Sequence, residues 1–174
     1  IAVLGLIVLA VSPCDAALAW RRGSETRGEP WEYGWPLRLL QLFVALPYLF
    51  SGWAKLMYAG PAWASAANIR AWLLLSNQDD QLAVFTMPGL WIADRPALCL
   101  LMGAAALAFD FLFVLAVFWP RSRRVLVPAA VLFHLAILFT QNYFFLSMPL
   151  LLVFVDWNAM RRRSTALRQF PRTI

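Results

Sequence analysis

Residues Pro36 to Met57 read PLRLLQLFVALPYLFSGWAKLM, a run of 22 residues that is almost entirely apolar. A helix of this length is about 33 Å long, which is enough to cross a bilayer with some tilt. With about 100° of rotation per residue, one face of this helix carries Gln41, Tyr48, Gly52 and Lys55. We therefore predict a transmembrane helix, bent at Pro47, whose polar face looks into protein or a cavity and not into lipid.

The composition of the whole chain agrees with this prediction. Of 174 residues, 62% are hydrophobic and only 14% are charged, whereas soluble domains carry about 25% charged residues. Several of the nine tryptophans stand at the ends of apolar runs, as in the aromatic belts of membrane proteins. The formal charge of +6 comes from arginines clustered beside these runs, which is typical of topology determinants and does not predict a nucleic-acid partner.

The apolar runs predict an all-α integral membrane protein with about five transmembrane helices, forming one domain over residues 1–174. The first helix is partial, because the chain begins inside an apolar run, Ile1 to Val11, and we expect part of this helix to precede residue 1. The last is short and bent by Pro149. The four crossings after the first are predicted at Pro36 to Met57, Pro96 to Trp119, Val125 to Gln141 and Tyr143 to Val155.

Residues 58–95 form the longest predicted extramembrane piece. Two of its segments, Ala62 to Leu75 and Leu82 to Trp91, are apolar or amphipathic but too short to cross. We predict that they are amphipathic interfacial helices between the second and third crossings.

The arginines predict the orientation. Alternating crossings place residues 12–35, 120–124 and 156–174, with eleven arginines, on one side, and residues 58–95, with two, on the other. By the positive-inside rule the arginine-rich side, with the basic tail 158–174, is cytoplasmic. The prediction is a multi-pass protein of a bacterial inner or intracytoplasmic membrane, with Lys55 toward the extracytoplasmic side.

Lys55 is the only lysine among fifteen basic residues. A lysine in a low-dielectric wall can lose its proton more readily than one in water, whereas arginine stays charged, so Lys55 is the candidate catalytic base. The alternative is that Lys55 only anchors its helix by reaching for the membrane surface.

Asp110 and His134 form the second candidate site. Each lies nine residues, or about 14 Å, from the basic turn that joins their helices, so we predict that they are level and paired. Lys55, counted in the same way, should lie about 15 Å further out. The pair has several interpretations: a structural link, a proton relay, a quinone contact, or a tetrapyrrole pigment bound by His134. The sequence shows no metal-ligand spacing.

Three segments occur in order along the chain: RLLQLFVALPYLFSGWAKL (38–56), FDFLF (109–113) and VLFHLAILFTQNYFF (131–145). Trp63 and a helix of small residues follow the first segment, and a basic turn precedes the last. Together these features resemble the HTTM family, the bacterial relatives of vitamin K-dependent gamma-carboxylase. The most specific parts are the glycine-lysine run at Ser51 to Leu56 and the Phe-His-Leu at Phe133 to Leu135. The resemblance implies that Lys55 acts as a base on reduced vitamin K or a similar quinol. DoxX-like quinone-linked membrane proteins share the glycine-lysine pattern.

Two functions follow as hypotheses. Because the chain is short and has no counterpart of the family's catalytic histidine upstream of the lysine, the first is a small accessory subunit of a respiratory or photosynthetic membrane complex. The second is a quinone-linked or carboxylase-like enzyme with Lys55 as base. The expected partners are membrane lipids and other integral membrane subunits. The candidate contacts for a quinone, lipid or tetrapyrrole are His134, Asp110, Tyr48 and Gln41.

Overall fold

The computed structural model describes residues 2–11, 30–78 and 86–156, and within these ranges the chain is helical and contains no strand. The α-helices are α1 (Ala2–Val11), α2 (Pro30–Ala59), α3 (Ala66–Ser76), α4 (Thr86–Ala93), α5 (Pro96–Leu112), α6 (Leu115–Phe118) and α7 (Arg123–Gln141). Two 3₁₀ helices cover Gly60–Ala64 and Met148–Phe154. The all-α prediction is confirmed. The loop 12–29 and the basic tail 158–174 lie outside the described residues.

Three helical stretches of the described chain are long and apolar enough to cross a membrane. They are Gly34–Ala64, Pro96–Phe118 and Arg123–Gln141. This result supports a membrane protein, but the predicted number of five crossings is not confirmed. Helix α1 has ten residues and packs against α2, and the predicted fifth crossing has a different structure.

Helix α2 is longer than predicted at both ends, since it has 30 residues and continues through Pro36 and Pro47. At 1.5 Å per residue it is about 45 Å long. Proline is tolerated in the first turn of a helix, where its missing N–H would have had no partner, so Pro30 suits the start of α2.

The two predicted short helices are confirmed, although their place at a membrane interface stays a prediction. Ser65 caps α3, because its hydroxyl accepts a hydrogen bond from the Asn68 N–H at 3.3 Å. The 3₁₀ helix before α3 lies against α5, where the Ala64 carbonyl is next to Gly103. In the same region Ile69 and Leu73 of α3 pack with Cys99 of α5. The chain after α2 therefore lies along the first half of α5.

Residues 142–156, which we name the return segment, run back along α7. Asn142 ends α7 in the left-handed conformation, with φ 57°. Near the other end of the segment, the Val153 carbonyl accepts a hydrogen bond from Gln41 Nε2 at 3.0 Å. Gln41 Oε1 in turn accepts one from Arg123, the first residue of α7, at 2.8 Å. The segment thus begins at the end of α7 and finishes beside its start.

The predicted α-helix over Tyr143 to Val155 is wrong, because the return segment is irregular up to Ser147 and then forms a 3₁₀ helix of seven residues. Pro149 lies in the first turn of this helix. In a 3₁₀ helix, residues three apart share a face, and Leu151 and Phe154 are the two buried residues. They join the main core between α2, α6 and α7.

Candidate functional site

Lys55 and Asp110 form an ion pair. Lys55 Nζ donates a hydrogen bond to Asp110 Oδ2 at 2.6 Å, and the two side chains are 20% and 3% exposed. The prediction that Lys55 lies about 15 Å beyond Asp110 is therefore wrong. The two residues are direct partners.

The error arose from the assumption that the predicted start of this crossing, Pro36, is level with the predicted cytoplasmic end of the next one, Trp119. Gly52 lies directly against Asp110, so Lys55 is only three residues, about 4.5 Å, further along α2. The chain after α2 turns back along α5 and occupies the depth that a longer helix would have filled. Side chains tilt toward the N-terminus of their own helix, so in antiparallel helices Lys55 and Asp110 lean toward each other.

Gly52 permits this contact. A Cβ atom on Gly52 would lie 2.9 Å from Asp110 Cβ and 3.1 Å from the Phe111 ring. These distances are shorter than ordinary carbon contacts of about 3.5–4.0 Å. A glycine at this point is therefore needed for α2 and α5 to approach closely enough.

Trp63 covers the ammonium group on another side. Lys55 Nζ lies 4.3 Å from the centre of the Trp63 ring, within the range of a cation–π contact. Trp63 belongs to the 3₁₀ helix after α2, so the segment that turns back along α5 also helps to hold the charge. The ammonium group is enclosed by a carboxylate and an indole, which argues against a lysine that only reaches for the membrane surface.

Tyr48 and His134 form a second polar pair. The Tyr48 hydroxyl lies 3.3 Å from His134 Nε2, and His134 Nδ1 lies 2.7 Å from the Ala130 carbonyl. The predicted direct pairing of Asp110 with His134 is wrong, because both ring nitrogens of His134 have other partners. These partners also argue against the predicted tetrapyrrole ligation, since a metal would have to displace one of them.

The two polar pairs line one cavity of about 210 Å³, which we name the polar cavity. Its polar residues are Tyr48, Ser51, Lys55, Asp110, His134 and Ser147. The remainder of the wall is apolar and comes from Val44, Pro47, Phe133, Ile137, Phe145 and Leu150. Ser51 and Ser147 are exposed, so the cavity is open between α2 and the return segment.

A larger apolar space of about 580 Å³, which we name the apolar groove, lies between α5 and α7. Small side chains widen it: Ala105 and Ala106 on α5, Ala129 and Ala136 on α7. Trp63 and Trp72 line it as well. Three residues, Lys55, Phe133 and Ile137, line both spaces. Lys55 therefore stands in the wall between the polar cavity and the apolar groove.

Gln41 does not line the polar cavity, although the sequence placed it among the candidate cofactor contacts. It is 1% exposed. Its side-chain amide donates a hydrogen bond to the Val153 carbonyl and accepts one from Arg123. Arg123 also donates from Nε to the Ala116 carbonyl at 2.7 Å. The position of Gln41 indicates that it fixes the return segment and does not contact a ligand.

No protein-family model, curated protein or solved structure matches this chain. The resemblance drawn from the sequence motifs therefore stays a prediction. The site must be interpreted from its own geometry.

Sequence reasoning found four of the polar residues of the cavity and missed Ser51 and Ser147. Ser51 stands beside Gly52 in the glycine-lysine run, so that motif could have indicated it. Ser147 carried no comparable signal, because it lies in the segment that was predicted as a helix. The described residues contain no group of three or more His, Cys, Asp or Glu that could hold a metal.

Proposed function

We propose that the protein binds a membrane-soluble ring compound of the quinone class and transfers a proton to or from it at Lys55. One observation carries this proposal: Lys55 lies in the wall that the polar cavity shares with the apolar groove, and its partner Asp110 lines the polar cavity beside it. A ligand with a polar ring and an apolar tail would meet the pair at its polar end.

Stability does not explain why such a pair is kept. Burying two charges costs several kcal/mol per ion, and well-packed apolar residues in their place are often neutral or stabilising. Ionisable residues inside membrane-spanning segments are typically functional. The Lys55–Asp110 pair, with Asp110 only 3% exposed, fits that pattern.

The two spaces have suitable sizes. An engineered protein cavity of about 150 Å³ holds benzene, so 210 Å³ accommodates one substituted six-membered ring. Ligand pockets usually measure about 300–1,000 Å³, and the apolar groove of 580 Å³ is large enough for a hydrocarbon tail. Quinones combine such a ring with such a tail.

The pair also suits proton transfer. As a unit it is neutral whether the shared proton lies on Lys55 or on Asp110. When Asp110 holds the proton, the Lys55 amine can accept a second proton from a ligand hydroxyl. The ligand oxygen is then an anion beside the new ammonium group, so charge stays balanced within the site. The resemblance to the HTTM family supports the same role, because in the related vitamin K-dependent carboxylase the lysine of this run acts as a base on reduced vitamin K.

The orientation proposed from the arginines would place the basic turn on the cytoplasmic side of a bacterial membrane and this site, at the depth of Asp110 about 14 Å from that turn, near the middle of the bilayer. The basic turn with Arg121, Arg123 and Arg124 is the only arginine-rich segment within the described residues. In this proposal the ligand reaches Lys55 from the bilayer through the apolar groove.

The experiment is a binding titration in lipid nanodiscs, with a ten-carbon-tailed ubiquinone as the probe. Trp63 and Trp72 line the groove, so quenching of tryptophan fluorescence should report binding. The double variant Lys55→Met/Asp110→Leu replaces both charged side chains by apolar side chains of similar shape and should fold. We expect its affinity for the probe to fall at least about tenfold, the loss of one charge-assisted hydrogen bond.

The matched control is Asp94→Leu/Arg95→Met. It removes one negative and one positive charge from two exposed residues that are adjacent in the sequence. This control should bind as wild type does. Wild-type affinity in the Lys55→Met/Asp110→Leu variant would contradict the proposed function. Absence of binding in every protein would contradict it too and would favour the accessory-subunit hypothesis.

A further inference from the structure

The proposed function gives roles to Lys55 and Asp110. The polar cavity also contains the Tyr48–His134 pair, which has no role in that function. Tyr48 lies seven residues before Lys55 on α2, or about 10 Å along the helix axis. Its ring is held by Phe109 at 5.6 Å and Phe113 at 4.5 Å between centroids. The Tyr48 hydroxyl is thus a fixed polar point, away from the ion pair but on the same cavity.

The partners of His134 determine the direction of its hydrogen bonds. The Ala130 carbonyl can only accept, so His134 Nδ1 must carry the hydrogen and donate it. Neither ring nitrogen contacts a carboxylate among the described residues, and the two contacts fit an imidazole that carries its single hydrogen on Nδ1. His134 Nε2 therefore accepts, and the Tyr48 hydroxyl donates to it.

The Tyr48 oxygen consequently offers its remaining lone pair to the cavity. Its only hydrogen is directed at His134, so toward a ligand it acts as an acceptor. We propose that Tyr48, oriented by His134, binds the second oxygen of the ring ligand and makes the site prefer a quinol over the corresponding quinone. This inference rests on the proposed function and adds to it the residues that select the redox form of the ligand, Tyr48 and the His134 ring that orients it.

The preference has a specific physical cause. A quinol hydroxyl can donate to the Tyr48 oxygen without disturbing any hydrogen bond. A quinone carbonyl can only accept, so Tyr48 would have to turn its hydrogen away from His134, a residue that is 6% exposed. The loss at this buried acceptor would cancel the gain from a new bond to the quinone, so only the quinol gains the roughly tenfold affinity of one hydrogen bond.

The test compares the reduced and oxidised forms of the ten-carbon-tailed ubiquinone, under anaerobic conditions in nanodiscs. Wild type should bind the quinol about tenfold more tightly than the quinone. Tyr48→Phe should remove this preference by weakening quinol binding, with quinone binding little changed. Tyr58→Phe is the matched control, because it removes the same hydroxyl group from a tyrosine that is 93% exposed and does not line the cavity.

A third probe keeps the inference testable if Tyr48→Phe does not fold. The monomethyl ether of the quinol retains one hydroxyl but cannot donate from the second oxygen, so wild type should bind it about tenfold more weakly than the quinol. If Tyr48→Phe still preferred the quinol, or if wild type bound the quinol and the ether equally well, the role of Tyr48 would be overturned and the proposed function would stand. If wild type bound neither the quinol nor the quinone, both the role of Tyr48 and the proposed function would be overturned.

Discussion

Replacement of Gly52 by alanine should push α2 away from α5 and lengthen the Lys55–Asp110 ion pair. The new Cβ atom would lie 2.9 Å from Asp110 Cβ and 3.1 Å from Phe111, so the helices must separate by about 0.5–1 Å to restore ordinary contacts. Overpacking of this kind costs about 1–3 kcal/mol. Alanine also has a higher helix propensity than glycine, by about 1 kcal/mol, which masks part of the cost.

Gly34→Ala cancels this propensity difference and is the matched control, because Gly34 lies in the same helix and its Cβ would meet nothing within 4 Å. Thermal or denaturant unfolding in mild detergent, followed by tryptophan fluorescence, compares the two variants. We expect Gly52→Ala to be less stable than Gly34→Ala by about 1–3 kcal/mol. Its affinity for the quinone probe should fall as well. Equal stability and equal affinity of the two variants would refute the close approach of α2 and α5 at Gly52.

Two further predictions concern the ends of the return segment. A Cβ on Gly89 of α4 would overlap the Thr140 carbonyl oxygen and lie 2.5 Å from Asn77 Nδ2. Gly89→Ala should therefore break the Asn77–Thr140 hydrogen bond and destabilise the protein by at least about 2 kcal/mol. Stability like that of Gly34→Ala would contradict this contact. Gln41→Leu should leave the Val153 carbonyl unpaired and speed amide hydrogen exchange in residues 150–155, whereas unchanged exchange there would show that Gln41 does not hold the segment.

The sequence predicted the helices well, because long apolar runs leave few alternatives in a membrane protein. It placed the starts of α5 and α7 within two residues and anticipated the short helices after α2. It could not predict where α2 ends relative to α5. That depth depends on the packing of Ala64 against Gly103, a tertiary contact that periodicity along one helix does not reveal.

The candidate site was predicted as a set of residues but not as a set of contacts. Counting residues along each helix located Asp110 and His134 near the same level, and both line the polar cavity. The count failed for Lys55, because it ignored both the depth of α2 and the direction of side chains. Because Gly52 has no side chain, α2 and α5 approach closely enough for Lys55 to bond Asp110, and Tyr48 occupies the position beside His134 that the sequence predicts for Asp110.

The return segment explains why the polar cavity is more than a packing gap. Irregular backbone at membrane depth is tolerated only where it is buried in protein or lines a cavity, since lipid cannot satisfy its polar groups. The segment contributes Phe145, Ser147 and Leu150 to the cavity wall. It is held near its start by Asn142, which donates to Asn77 at 2.9 Å, and near its end by Gln41. An α-helix in its place would satisfy its own backbone without these two attachments, so the irregular form is accounted for by the cavity that it lines.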